Sequence, residues 1–189
     1  VNLGKNKTTS LEDAPQEYQS LVEIFAPLAD YLAINVSSPN TVGLRRLQNR
    51  QMLDVLLAAI AETRKSLVGQ IKRDVPILVK LAPDLTDPEL EDALEVIIQH
   101  GMDGVIATNT TLSREGVSSS LAHETGGLSG APLGLRSLEM VKRVLVITNG
   151  TLPVIGVGGI LSPQDARKHL EAGASLVQVY TGLGYAGPG

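Results

Sequence analysis

Six short aliphatic runs punctuate the chain: Val1 to Gly4, Tyr31 to Val36, Pro76 to Ala82, Gly104 to Asn109, Pro153 to Gly158 and Ser175 to Thr181. Most are continuously apolar rather than alternating, the pattern of strands covered on both faces, as in a parallel sheet. Between them the period changes. Leu53, Leu56, Leu57 and Ile60 fall at i, i+3, i+4 and i+7, and Leu90, Leu94, Ile97 and Ile98 make a second apolar stripe. Asp87 and Pro88 start that second helix and Gly101 ends it. Ser162-Pro163-Gln164-Asp165 joins a capping serine, a first-turn proline and an acid, predicting a helix that Gly173 ends. Strand–helix alternation predicts right-handed crossovers and an α/β architecture, either an open doubly wound sheet or a (β/α)8 TIM barrel. The glycines of Gly156-Val157-Gly158-Gly159 come late in the chain instead of after an early strand. That favours the barrel, whose phosphate sites use the loops after the last strands.

Several runs end in polar clusters that make poor core. Tyr31-Leu32-Ala33-Ile34 leads into Asn35-Val36-Ser37-Ser38-Pro39-Asn40-Thr41. Asparagine supplies paired donors and acceptors, serine a hydroxyl that can take a proton, and proline a fixed loop path. Thr108-Asn109-Thr110-Thr111 follows Gly104 to Ala107, and Asn2 ends the first run. Side-chain turns are the alternative for such residues. Lys80 interrupts Ile77-Leu78-Val79 near a strand end, where it either enters a site or snorkels to solvent. Gly158 and Gly159, with the helix beginning at Ser162 and the hydroxyl-rich Tyr180-Thr181-Gly182, suit a phosphate cradle; a tight turn is the alternative. Glu124 to Gly130 is a glycine-rich loop able to cover a ligand or to remain an ordinary surface loop.

Composition narrows the chemistry. The 189 residues are 43% hydrophobic and 19% charged with a net charge of −4, enough for one globular domain. The lack of a dense basic stretch and the 3% aromatics argue against nucleic-acid binding as the main task. Cysteine is absent, which removes disulfides, thiolate metal sites and a cysteine nucleophile. His100, His123 and His169 show no metal-ligand spacing, and His100 and His169 read as solvated residues on helices. No apolar run approaches the ~20 residues of a membrane span, and no signal peptide is apparent. The site-like set of Asn, Ser, Thr, Lys and Gly binds a polar planar ligand and a phosphate but has little chemical power of its own, which implies a cofactor.

Seven segments in order then carry a resemblance. They are Val-Asn-Leu-Gly-Lys-Asn at 1–6, Asn-Val-Ser-Ser-Pro-Asn-Thr at 35–41, Val-Lys-Leu-Ala-Pro-Asp-Leu at 79–85, Thr-Asn-Thr-Thr at 108–111, Glu-Thr-Gly-Gly-Leu-Ser-Gly at 124–130, Ile-Gly-Val-Gly-Gly-Ile at 155–160 and Gly-Ala-Ser-Leu-Val-Gln-Val-Tyr-Thr at 173–181. Together they resemble the dihydroorotate dehydrogenase family across essentially the whole chain. The resemblance implies an FMN-dependent (β/α)8 barrel that oxidises dihydroorotate to orotate in pyrimidine synthesis. Soluble members carry cysteine in the active loop; Ser38 resembles class 2, the quinone-reducing branch at the membrane surface. By position, Ser38 would be the base, and Asn35, Asn40, Asn109 and Thr110 would bind substrate. Asn2, Asn35, Lys80, Thr108, Ser129, Gly130, Gly158, Gly159, Tyr180 and Thr181 would bind FMN. Thr41 is a candidate proton relay through water.

The resemblance also implies absences. The six strands match the third to eighth of the family barrel, so residues 1–189 read as a partial barrel domain of about six βα units. The first two strands, the N-terminal quinone-tunnel helices and the final helix are expected to be missing. The chain opens on what looks like a strand already ending and stops at Pro188-Gly189. Such a piece is expected to expose apolar edges, to be unstable or to associate, and to be catalytically poor alone. The full protein would sit peripherally on the inner membrane, on the cytoplasmic side if bacterial. Two other readings stay open: a related FMN barrel acting on pyrimidines, which Ser38 disfavours because that relative uses cysteine, and a non-catalytic phosphate- or flavin-binding barrel piece.

Overall fold

The structure is a computed structural model that describes residues 1–187; Pro188 and Gly189 lie outside the described residues. Each aliphatic run contains a strand: β1 (Asn2–Leu3), β2 (Leu32–Asn35), β3 (Ile77–Leu81), β4 (Gly104–Ala107), β5 (Val154–Val157) and β6 (Leu176–Gln178). They pair in parallel in unbroken chain order from β1 to β6. A doubly wound sheet reverses strand order at a switch point; this one never does. The six strands form a half-barrel with β1 and β6 at its edges.

Helices fill the crossovers: α1 (Ala14–Phe25), α2 (Arg50–Ile71), α3 (Asp87–Gln99), α4 (Gly134–Ile147), α5 (Pro163–Glu171) and the short α6 (Thr181–Ala186). The starts and stops of α3 and α5 fall where the caps predict. Ser162 accepts a hydrogen bond from Asp165 N at the start of α5, and Gly101 and Gly173 take positive φ after α3 and α5. Thr86 adds a reciprocal capping box with Glu89 on α3. Periodicity gave no clear bounds for α1 or α4. The buried stripe of α1 is only Ala14, Tyr18 and Val22, and that of α4 includes a serine, Ser137. The short α6 after β6 was not anticipated; its two glycines in six residues leave no periodic signal.

The strands read as continuously apolar because their two faces pack against different partners. Leu32, Ile34, Ile77, Val79, Leu81, Val105, Ala107 and Val154 point outward into the large core beneath the helices. Ala33, Leu78, Ile106, Ile155 and Val157 form a second, inward cluster. Register aligns the inward residues into rows: Ala33 stands beside Leu78, and Ile106 beside Ile155. Two residues further along the same face come Asn35, Lys80 and Thr108. An apolar plug therefore lies under a polar rim, and parallel pairing puts every rim residue at the same end of the half-barrel.

Both helical histidines depart from the solvated reading. His100 Nε2 lies 2.8 Å from Asp54 Oδ1 on α2 with its side chain mostly shielded. His169 is 2% exposed. It packs on Gly156, where a Cβ would stand 2.7 Å from His169 Cδ2, so the missing side chain makes the imidazole's space.

Leu57 is fully buried in the outer core and Val55, on the same helix, is 58% exposed. Leu57→Ala is expected to lower unfolding free energy by about 2–5 kcal/mol, and Val55→Ala by less than ~0.5 kcal/mol. Denaturant titration of the intact protein checks both.

Candidate active site

The strand ends enclose a cavity of about 670 Å³. Its wall includes the fourteen residues to which the resemblance gives base, substrate or FMN roles: Asn2, Asn35, Ser38, Asn40, Lys80, Thr108, Asn109, Thr110, Ser129, Gly130, Gly158, Gly159, Tyr180 and Thr181. Each of the seven quoted segments contributes at least one of them. Thr41 is not among the lining residues.

On one side, an asparagine pair organises the wall. Asn109 Nδ2 donates to Asn35 Oδ1 at 3.0 Å and to Ser37 Oγ at 3.1 Å. Asn35 Oδ1 also accepts from Ser37 Oγ at 3.2 Å, and Asn109 Oδ1 accepts from Thr110 N at 2.8 Å. These bonds saturate the inner atoms and leave the Asn35 amide hydrogens for a ligand. From behind, the Tyr18 hydroxyl donates to the Asn35 carbonyl at 2.8 Å. Burial holds that phenol well above its ordinary pKa, so it stays a donor across the physiological range. Ser38 Oγ accepts from Asn40 N at 3.3 Å, so its hydroxyl hydrogen is free to be given elsewhere.

On the opposite side, glycines do the work. Gly158 and Gly159 have φ of 127° and 68°. A Cβ on Gly159 would stand 2.2 Å from the Gly134 Cα, so the backbone of α4 abuts the loop directly. Beneath it lies a buried polar group. Ser137 Oγ donates to the Gly158 carbonyl at 2.6 Å and sits 3.1 Å from His169 Nε2. Thr181 Oγ1 donates to Ser129 Oγ at 2.9 Å, tying the end of β6 to the loop at Gly130. The start of α5, expected to lend its dipole here, does not line the cavity. Its donors are used locally: Leu161 N and Ser162 Oγ donate to Asp165 Oδ2.

The glycine-rich 124–130 loop does fold over the site. Leu128 pairs with Thr111 in an antiparallel bridge. A Cβ on Gly127 would overlap Thr110 Oγ1, at 1.8 Å, so only glycine allows the loop so close. The Arg114 guanidinium gathers the segment by donating to the carbonyls of Ala122, Glu124 and Gly126.

Six lining residues were not anticipated: Tyr31, Leu133, Val157, Ile160, Gln178 and Val179. Gln178 Nε2 donates to Tyr31 Oη at 3.1 Å across the mouth. Tyr31 was legible in principle, because it lies two residues before Ala33 on the inward face.

A family model described as dihydroorotate dehydrogenase matches residues 1–189. The chain belongs to the dihydroorotate dehydrogenase family. It is 50% identical over its whole length to a dihydroorotate dehydrogenase (quinone) of Idiomarina loihiensis, covering 57% of that protein. It is 51% identical to the enzyme of the same name from Chloroflexus aurantiacus, covering 53% of it. Among solved structures, the dihydroorotate dehydrogenase of Eimeria tenella in complex with ferulenol superposes with a TM-score of 0.92 at 42% identity. That match covers all of this chain and 53% of the other. The chain thus spans about half the length of the curated relatives it matches.

Among the described residues that line the cavity, Lys80 is the one cation. It stands in register with Asn35. Burial pulls its pKa below the ordinary lysine value, with no carboxylate offsetting the effect. Below that lowered value the folded state binds the proton less tightly than the unfolded chain, so the charge costs stability; the cost fades as pH rises toward the unfolded value. Lys80→Met is therefore expected to stabilise the ligand-free protein at neutral pH, with the gain shrinking at alkaline pH. Denaturation midpoints across pH check this, and a variant less stable than the parent at neutral pH contradicts it.

Proposed function

We propose that the intact protein oxidises dihydroorotate to orotate, with FMN as hydride acceptor and a quinone as final acceptor, in de novo pyrimidine (UMP) biosynthesis. The observation that carries this reading is the convergence of a serine loop, an asparagine pair, a buried lysine and a glycine cradle on one cavity. Its volume of about 670 Å³ is within the usual range for a cofactor or ligand site. The residues suit FMN on physical grounds: Gly158 and Gly159 leave no room for side chains and expose backbone to a phosphate, and Lys80 is a partly desolvated cation awaiting an anion. The assignment of residues 1–189 to an FMN-binding barrel domain belongs to the same reading.

In this reading FMN, when bound, supplies two-electron acceptance for the hydride from carbon 6 of dihydroorotate, which none of these side chains can provide. Ser38 Oγ takes the proton from carbon 5, so two C–H bonds break, one as hydride and one as proton, and the carbon 5–carbon 6 double bond forms. Asn35, Asn40, Asn109 and Thr110 hold the pyrimidine ring and its carboxylate. Lys80 stabilises negative charge at the flavin ring by electrostatics in a site of low dielectric. Asn2 and Thr108 flank that ring, while Ser129, Gly130, Gly158, Gly159, Tyr180 and Thr181 hold the ribityl and phosphate end. Serine is a weak base, so its proton must move on as it arrives. Thr41, close in sequence, is the proposed relay through water.

The relatives' name, dihydroorotate dehydrogenase (quinone), supports the quinone as acceptor, and a peripheral position at the inner membrane, on the cytoplasmic side if bacterial, belongs to the same reading. Among the described residues no helix is long and apolar enough to cross a membrane. A related cysteine-bearing pyrimidine barrel is disfavoured by Ser38.

In the intact protein, Ser38→Ala is expected to slow flavin reduction by dihydroorotate by roughly 10²–10⁴-fold while retaining FMN. Thr41→Ala is expected to slow it less. Stopped-flow bleaching of the flavin measures both, and normal turnover in Ser38→Ala removes the base assignment.

A further inference from the structure

Arg45 and Asp84 lie outside the cavity wall, yet they join the three loops that carry most of its polar side. Arg45 sits in the short turn Leu44–Gln48 that follows the Ser38 loop. Its guanidinium sends one bond to each of three strand ends. Nε donates to the Ser37 carbonyl at 3.1 Å, after β2. Nη1 donates to Asp84 Oδ2 at 2.6 Å, after β3. Nη2 donates to the Thr110 carbonyl at 2.7 Å, after β4.

Asp84 completes the tie. Its Oδ1 accepts from Thr111 Oγ1 at 2.5 Å, and its Oδ2 accepts from Leu112 N at 3.0 Å. Arg136 on α4 lies 3.4 Å from Oδ1 and donates to the neighbouring Pro83 carbonyl at 2.9 Å. Both partners of the central ion pair are about four-fifths shielded from solvent. Burial alone would raise the Asp84 pKa, but the bonds from Thr111, Leu112 and Arg45 outweigh it and keep the carboxyl ionised.

We propose that Arg45 and Asp84 are positioning residues: their ion pair sets the spacing between the Ser38 loop and the Asn109–Thr110 segment, and hence the alignment of base and substrate. The inference rests on the functional reading above. Ser37 precedes Ser38 directly, and Thr110 follows Asn109 directly. Both are held through main-chain carbonyls, so shifting the guanidinium moves the backbone under two reacting groups at once. Only a planar fork with three separately directed nitrogens reaches all three loops; a lysine ammonium at the same position cannot. Misplacement near 1 Å costs on the order of 10²-fold in rate when geometry is what the site supplies.

The test uses Arg45→Lys, which keeps the charge, and Asp84→Asn, which keeps the shape but turns an amide donor toward Arg45. Both are made in the intact protein. The expected result is a fall of roughly 10–100-fold in flavin reduction by dihydroorotate, larger in kcat than in KM. FMN content and melting temperature should stay near the parent values. In FMN-free protein, hydrogen exchange should quicken at residues 36–42 and at Leu112 but not in α2. Parent-like rates and exchange in both variants overturn the proposal. So does a loss that merely tracks FMN release or lowered melting. Should the parent itself fail to reduce its flavin with dihydroorotate, the functional reading falls, while the exchange comparison still decides whether the clamp orders the loops.

Discussion

Parallel pairing of strands whose inward faces step from apolar to polar within two residues is the constraint on which the rest depends. Ala33 to Asn35, Leu78 to Lys80 and Ile106 to Thr108 each make that step. Because neighbouring strands share direction, the steps fall at one end: Asn35 stands beside Lys80, and the step on β4 comes two residues further along, with Ile106 beside Lys80. The apolar residues make a floor that excludes water, and the polar ones stand on it at one mouth. Antiparallel pairing of the same segments would scatter the same side chains to both ends of the sheet.

The mouth is rigidified from outside. Tyr18 braces the Asn35 carbonyl, Ser137 braces the Gly158 carbonyl, and Gln48 Oε1 accepts from Ala82 N at 2.8 Å, anchoring the turn that carries Arg45. These supports act on backbone, leaving lining side chains free to meet ligands. They come from helices and turns on the outer layer, so the packed core beneath the helices and the geometry of the site are one structure.

Much of this was legible from local pattern. The six strands announced themselves as aliphatic runs, and the site as the polar residues that follow them; the family resemblance then named roles for fourteen residues that share one cavity. What escaped depends on contacts between distant parts of the chain. His169 is buried because Gly156, on another element, has no side chain. Asp84 was visible within a motif, but its tie to Arg45 spans 39 residues, and nothing in either neighbourhood signals it. The Tyr31–Gln178 bond spans 147. α1 carries a weak periodic signal because alanine and tyrosine fill most of its buried stripe, Ala14, Tyr18 and Val22. The position of the α5 start was not legible either: Ser162 caps Asp165 N and stands outside the cavity wall.

The central claim is that parallel strand ends gathered at one mouth hold a flavin against a pyrimidine in the intact protein. A crystal structure of the intact protein with FMN and orotate tests it most directly. The expected density has the phosphate at the backbone of Gly158–Gly159 near Thr181, and orotate between Ser38 and Asn109 against the flavin ring. Flavin or orotate bound away from this cavity, or orotate out of reach of Ser38, would contradict the account.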